Sequence, residues 1–350
     1  MPTVTELRVR RDDLTRTDIA AREVELADGE VLCRVDRFAL TANNITYAAH
    51  GSDMRYWDFF PAADGWGIVP VWGFGTVIAS RAEGLEPGTR AYGYWPMADH
   101  AVLTPVKVTP KGFVDGAAHR AGLASVYNGY QIVGGETAPI GDERVYALFR
   151  PLYLTSFLLA DVFGDEEVQF VLSSASSKTA LGLAQALHAR GRTVVGLTSP
   201  GNIDFVARTG FYTSTVAYAD ISSIDRAPSI YLDFAGDRAL RRAVHAHFDD
   251  AMRQSIGVGD THVGVPDGAG PLAGVRPEGF FAPTHLATRM RDNAPGGFNE
   301  RYAAGWANFV TATAPWLRFV EASGADAVTT RFAAFVAGRV DPAEGIILDI

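Results

Sequence analysis

Cysteine is nearly absent from this 350-residue chain, which has one, Cys33. A single thiol excludes an intramolecular disulfide framework and any zinc site built from several thiolates. Positive charge is also short: 31 Lys+Arg stand against 40 Asp+Glu, for a formal net charge of −9. Binding a phosphate backbone needs clustered cations, so nucleic acid is not expected as a partner. No stretch approaches the ~18 uninterrupted apolar residues of a membrane span, so no membrane partner is expected either. The opening MPTVTELRVRRDD lacks the apolar core of a signal peptide. No G-x-S-x-G elbow occurs, which leaves a serine hydrolase without support. The eight histidines show no H-E-x-x-H spacing, and His245 and His247, at i and i+2 of an expected helix, face different ways. The expectation is a soluble, cytoplasmic enzyme acting on a small molecule, with enough chain for two domains.

The chain itself changes style near residue 150. Before it, short apolar runs recur about every ten residues: Val31–Val35, Gly75–Ala79, Arg90–Tyr94 and Ala101–Leu103, punctuated by Gly and Pro. That pattern predicts a small barrel or sandwich without a long amphipathic helix. After it, Leu152–Val162 predicts a buried helix, followed by an alternating series. Strands are expected at Val168–Leu172, Thr193–Leu197, Ile230–Phe234 and Ser255–Val258. Helices are expected at Thr179–Arg190, Ile203–Thr209 (with Gly210 as C-cap) and Arg238–Phe248. Strands apolar throughout, alternating with helices, predict a doubly wound parallel sheet. A Gly/Pro-rich connection over 264–279 precedes helices around Tyr302–Thr313 and Arg331–Gly338.

The turn after the first of these strands is Ser173-Ser174-Ala175-Ser176-Ser177-Lys178-Thr179-Ala180-Leu181-Gly182. A dinucleotide site needs a backbone that approaches a pyrophosphate at a helix N-terminus, usually through G-x-G-x-x-G. Of that signature only Gly182 survives, where it would let helix and sheet pack closely. Ser174, Ser176, Ser177, Lys178 and Thr179 nevertheless offer donors to phosphate oxygens, although Ser and Thr also serve as ordinary helix caps. Ser177-Lys178-Thr179 resembles the end of a nucleotide triphosphate-binding loop, but both glycines that shape that cradle are absent. At the end of the second strand, Leu197-Thr198-Ser199-Pro200-Gly201-Asn202 holds no carboxylate before Asp204. An NAD site places Asp or Glu there for the ribose 2′-OH. Its absence favours NADP, with Thr198, Ser199 and Asn202 as contacts and Lys178 or Tyr218 as a further phosphate contact.

Several segments, in order, resemble the medium-chain dehydrogenase/reductase superfamily, in particular its quinone oxidoreductases and enoyl reductases. They are Gly29–Val35, Ala39-Leu40-Thr41-Ala42-Asn43-Asn44, Trp72–Val77, Glu86–Ala91 and the closing Gly338–Gly345. Arg150–Phe157 together with Ser173–Ala180 resembles an uncharacterised branch. The resemblance implies an α/β chain with a GroES-like β-barrel catalytic domain, residues 1–135 and 290–350, around a Rossmann domain, residues 136–289. It also implies a site between the domains and, in many members, a homodimer. Zinc-dependent members keep a Cys in the active-site loop and a Gly-His-Glu motif. Here those stretches hold Asn43-Asn44 and Gly73-Phe74-Gly75, and Cys33 lies in the preceding strand.

Without a metal, hydride transfer to a carbonyl or activated alkene needs an oxyanion donor and a proton source. Tyr47 and Asn43, with Asn44 beside them, fall in the loop where zinc-independent relatives place such groups. The stretch Arg120–Tyr130 and Arg150, Thr155 and Ser156 are candidates for binding an anionic substrate. Tyr56, Trp57, Phe59, Phe60, Trp66 and Trp72 read either as barrel packing or as an apolar pocket. The resulting expectation is a zinc-independent, NADP(H)-dependent oxidoreductase for a small hydrophobic carbonyl or enone. Its rival is a non-catalytic NADP(H)-binding protein that kept the fold without turnover.

Overall fold

The computed structural model describes residues 2–134, 140–259, 272–289 and 296–350. The chain divides into two compact units, Met1–Arg150 with Arg318–Ile350, and Pro151–Leu317. The junctions therefore lie at 150/151 and 317/318, later than the expected 135/136 and 289/290, which touch segments outside the described residues. Of the 264–279 connection, residues 264–271 likewise lie outside the described residues.

The first unit begins with β1 (Thr3–Arg10), β2 (Thr17–Glu23), β3 (Val31–Leu40) and α1 (Ala42–Ala49). Strands β4 (Trp66–Gly67), β5 (Pro70–Ser80), β6 (Arg90–Pro96) and β7 (His100–Leu103) follow. Then come β8 (Pro105–Thr109), β9 (Gly112–Asp115) and β10 (Gly129–Ile132). The helix α2 (Glu143–Phe163) runs from this unit into the second, with Pro151 inside it. It starts nine residues before the expected Leu152. By length and composition α2 is apolar enough to cross a membrane, and its side chains Leu148, Phe149, Leu158 and Leu159 are fully buried in the protein.

In the second unit β11 (Gln169–Leu172), α3 (Lys178–His188), β12 (Val194–Thr198) and α4 (Ile203–Arg208) come first. They are followed by β13 (Ser214–Ala217), β14 (Ser229–Asp233), α5 (Arg238–Phe248) and β15 (Met252–Gly257). The unit ends with β16 (Glu278–Gly279), α6 (Ala282–Arg289) and α7 (Phe298–Thr313). The chain then returns to the first unit through β17 (Arg318–Ser323), α8 (Ala325–Val336) and β18 (Glu344–Asp349).

Its sheets differ in kind. In the first unit a small sheet of order β2-β1-β4 accompanies a nine-stranded sheet of order β17-β18-β3-β5-β6-β10-β9-β8, with β7 also on β3. Apart from the parallel pair β17–β18, the larger sheet is antiparallel. Gly73 in β5 is there for space, since a Cβ would lie 2.1 Å from the Arg37 carbonyl of β3. The second unit carries one parallel sheet, β13-β12-β11-β14-β15-β16. Numbered along the unit this is the doubly wound order 3-2-1-4-5-6, whose strand order reverses between β11 and β14. Phe170, Val171 and Leu172 of β11 are fully buried, because helices cover both faces of such a sheet. Each contributes about 1.5–3 kcal/mol on leaving water.

Candidate functional site

Two groups of hydroxyl-bearing side chains stand out, one in each unit. In the second unit it lies at the carboxyl ends of β11 and β14, the switch point where open α/β sheets take ligands. The turn 173–177 joins β11 to α3. Ser173 is wholly buried; its hydroxyl donates to Asp233 Oδ1 at 2.8 Å and accepts from the Phe234 and Ala235 amides at 2.9 and 3.1 Å. Asp233 also accepts the Gly236 amide and pairs with Arg241 Nε at 2.7 Å. This network ties the β11 turn to the β14 turn and uses up the Asp233 carboxylate.

Ser174 sits at φ +48°, in the left-handed region that glycine occupies without strain. The turn has thus kept the backbone shape of a glycine turn while losing its glycine. The Ser174 amide donates to the Tyr218 hydroxyl at 3.2 Å. Ser177 is the N-cap of α3, accepting the Ala180 amide at 3.3 Å. Lys178 and Thr179 open the helix, so a cation and two hydroxyls stand at its positive dipole end. The apolar stripe Ala180, Leu183, Ala184 and Leu187 is buried, as its spacing predicts. Gly182 serves a different contact from the expected one. A Cβ there would lie 2.7 Å from Ser156 Oγ of α2, so it allows two helices, not helix and sheet, to approach. Ser156 itself is buried and donates to the Thr179 and Leu152 carbonyls, which removes it from the candidate substrate contacts.

At the end of β12, Thr198 is buried while Ser199 and Asn202 are half-buried. Asn202 Nδ2 donates to Ser176 Oγ at 3.1 Å, joining the two expected cofactor loops directly. The structure therefore brings Ser174, Ser176, Ser177, Lys178, Thr179, Thr198, Ser199, Asn202 and Tyr218 to one end of one sheet. A turn with left-handed backbone, donor side chains and no carboxylate between β12 and Asp204 fits a nucleotide bearing a 2′-phosphate.

The first unit supplies the second group. Asn43, Asn44 and Tyr47 lie on α1, which corrects the reading of this stretch as a loop. Its start is fixed by Asn44, whose Oδ1 accepts the Thr41 amide at 2.8 Å while Nδ2 donates to the Pro70 carbonyl at 2.9 Å. Asn44 is consumed by this role. Tyr47 is 5% exposed and its hydroxyl accepts from Trp72 Nε1 at 3.2 Å. Asn43 and Tyr127 are its other polar neighbours, and burial raises its pKa, holding it protonated. The Tyr56 and Tyr127 hydroxyls are 3.2 Å apart. Rings of Tyr47, Tyr56, Phe59, Trp72, Tyr94 and Tyr127 pack at centroid distances of 4.6 to 6.2 Å. Tyr127 lies in the candidate stretch Arg120–Tyr130, whereas Tyr94 was not among the sequence-based candidates and is found through this packing.

Other candidates are committed elsewhere. Arg120 is buried and pairs with buried Asp115 at 2.9 Å, stacked over Phe60 at 4.7 Å, so it is not a free anion receptor. Arg150 lies inside α2 rather than at its start, and its Nε donates to the Tyr146 hydroxyl at 3.3 Å. Trp57 fills the space left by Gly51 and Gly67 and is core. Cys33 is buried in β3, where desolvation raises its pKa and keeps it a thiol. His245 is buried between the Ala273 carbonyl and Ser255. Among the described residues no group of three His, Cys, Asp or Glu side chains is placed to hold a metal ion.

A family model described as "protein of unknown function (DUF2855)" matches residues 38–341. No curated protein matches. Among solved structures, the chain is similar to CurA from Vibrio vulnificus in complex with NADPH, with 13% identity over 95% of this chain and 94% of that one, TM-score 0.62. A putative NADPH:quinone reductase from Mesorhizobium loti shares 14% identity over 100% and 99%, TM-score 0.62. A mutant enoyl thioester reductase from Candida tropicalis shares 11% over 100% of both chains, TM-score 0.57. The chain thus shares the fold of these solved structures, in keeping with the expected α/β architecture of a GroES-like barrel part and a Rossmann part.

Proposed function

Because the chain belongs to the DUF2855 family of proteins of unknown function and has the fold of enzymes solved with NADPH, we propose that it is an NADP(H)-dependent oxidoreductase. Its substrate is a small hydrophobic carbonyl or enone. The observation that carries this reading is the β11–α3 turn: left-handed at Ser174, capped by Ser177 and placed at the reversal point of the sheet. Backbone amides and hydroxyls of Ser174, Ser176, Ser177 and Thr179, with Lys178, bind the pyrophosphate. Thr198, Ser199, Asn202 and Tyr218 accommodate the adenosine ribose and its 2′-phosphate. When bound, the cofactor supplies a hydride. Tyr47 holds the proton that the product must gain, and Asn43 beside it donates to the developing oxyanion.

A reaction without zinc is supported by the residues in the stretches where zinc-dependent relatives keep their metal motifs, Asn43-Asn44 and Gly73-Phe74-Gly75, and by Cys33 being a buried strand residue. The test follows NADPH oxidation at 340 nm with 2-cyclohexen-1-one, crotonaldehyde and 1,4-benzoquinone. Turnover of at least one probe, lost in Tyr47→Phe, is the expected result. Cofactor binding with no turnover of any of them favours the non-catalytic rival.

A further inference from the structure

The hydroxyls of Tyr47, Tyr56 and Tyr127 meet and the ring of a fourth tyrosine, Tyr94, packs on them, more than an oxyanion donor requires. Tyr127 links two of them: it lies 3.2 Å from the Tyr56 hydroxyl and neighbours that of Tyr47. The fourth, Tyr94, is fully buried, and among the described residues its hydroxyl has no hydrogen-bond partner. Its ring lies 4.7 Å from that of Tyr127 and 5.6 Å from that of Tyr47. A buried hydroxyl left unpaired is a standing cost to the fold. That cost is explained if an acceptor appears beside it only during turnover. Burial raises the pKa of all four phenols, so none carries charge at rest.

We infer that Tyr127 and Tyr56 form a proton relay that restores Tyr47, with the Tyr94 hydroxyl stabilising the phenolate as it moves. The inference rests on the oxidoreductase reading above. As the substrate gains a hydride, the Tyr47 O–H bond breaks and its proton bonds to the product. The Tyr127 O–H proton then passes to the Tyr47 oxygen, the Tyr56 proton passes to Tyr127, and water protonates Tyr56. Over the cycle one hydride and one solvent proton enter the substrate. Tyr127, Tyr56 and Tyr94 touch neither substrate nor cofactor in this scheme and act only through Tyr47.

The test compares wild type with Tyr127→Phe, Tyr56→Phe and Tyr94→Phe, using the enone that the wild type reduces fastest at saturating NADPH. The relay predicts a kcat at least about tenfold lower in Tyr127→Phe, a part of the roughly 10²–10⁴-fold that a general acid contributes, with KM for NADPH unchanged. It predicts a proton inventory in H2O/D2O mixtures that is curved in wild type and straighter in Tyr127→Phe. Tyr94→Phe is the sharpest arm, because it removes an unpaired hydroxyl: thermal stability holds or rises while kcat falls. If Tyr127→Phe and Tyr94→Phe keep wild-type kcat, or lose activity only in step with lost stability, the relay is overturned and the oxidoreductase reading stands. If the wild type turns over none of the probes, that reading falls and the relay falls with it.

Discussion

The turn after β11 draws its hydroxyls from a run of neighbouring residues, Ser173 to Thr179, whereas the tyrosine cluster gathers its own from positions between Tyr47 and Tyr127. The first group is held by backbone geometry. Ser174 adopts a glycine-like φ, Ser177 caps a helix, and Ser173 bridges to Asp233. The second is held by ring packing around a buried ion pair, with α1, β5, β6 and the 3₁₀ turns at Tyr56 and Tyr127 each contributing. A site made of consecutive residues tolerates change in any one side chain, because its amides remain. One made of packed rings depends on each member. Substitutions should therefore be milder in the turn than in the cluster.

The largest effect is expected at Asp115. Removing one member of the buried pair leaves Arg120 charged and unpartnered, and Asp115→Ala should cost about 3–5 kcal/mol. A guanidinium unfolding curve of the first unit checks this, and a loss below ~1 kcal/mol would show that the pair is not what braces the cluster. Next comes Tyr47→Phe, expected to lower kcat by about 100-fold or more while leaving NADPH affinity unchanged. Steady-state kinetics beside a binding titration separate the two terms. Equal losses in both would place Tyr47 in cofactor binding instead.

The turn is expected to respond less. Ser174→Val puts a β-branched residue at φ +48° and should destabilise by about 1–2 kcal/mol, whereas Ser174→Gly should be near neutral. Thermal melts of the two variants decide whether the backbone, rather than the hydroxyl, matters there. Asn202→Asp places a carboxylate where the 2′-phosphate is expected, and should weaken NADPH about tenfold while sparing NADH. Unchanged selectivity in a competition titration would remove Asn202 from the site.

The smallest effect concerns pH. Burial lowers the His245 pKa from 6.5, so the unfolded chain binds its proton more readily than the folded one. Its contribution is complete above pH 6.5 and declines as pH falls below that value. Unfolding free energies between pH 7 and 5 should decline more steeply in wild type than in His245→Gln.

The Rossmann unit was readable in the sequence because each element carries its own signal. Val168–Leu172 is a largely apolar run, Ala180 to Leu187 keeps a helical period, and strands and helices alternate through Ser255–Val258. The turn's function was readable by order rather than by motif, since Ser174 replaces the expected glycine and only the φ value reveals the substitution as conservative. β13 was missed because Ser214–Ala217 is an exposed-to-half-buried edge strand without an apolar run. The helix α1 was missed because its cap is a Thr41–Asn44 pair rather than the usual Glu or Gln box, with Asn44 further anchored to Pro70, 26 residues away. The tyrosine cluster was legible at Tyr47, at Tyr56 and the neighbouring aromatics, and as part of the candidate stretch Arg120–Tyr130. Tyr94 and Tyr127 reach it through strand pairing and a 3₁₀ turn that no local period announces.

The central claim is that a serine turn does the work of a glycine turn in holding a dinucleotide. Isothermal titration of the wild-type protein with NADPH and with NADH tests it most directly. The account predicts one saturable site per chain, tighter for NADPH than for NADH. Absence of binding heat with both cofactors, confirmed by unchanged nicotinamide fluorescence, would contradict it.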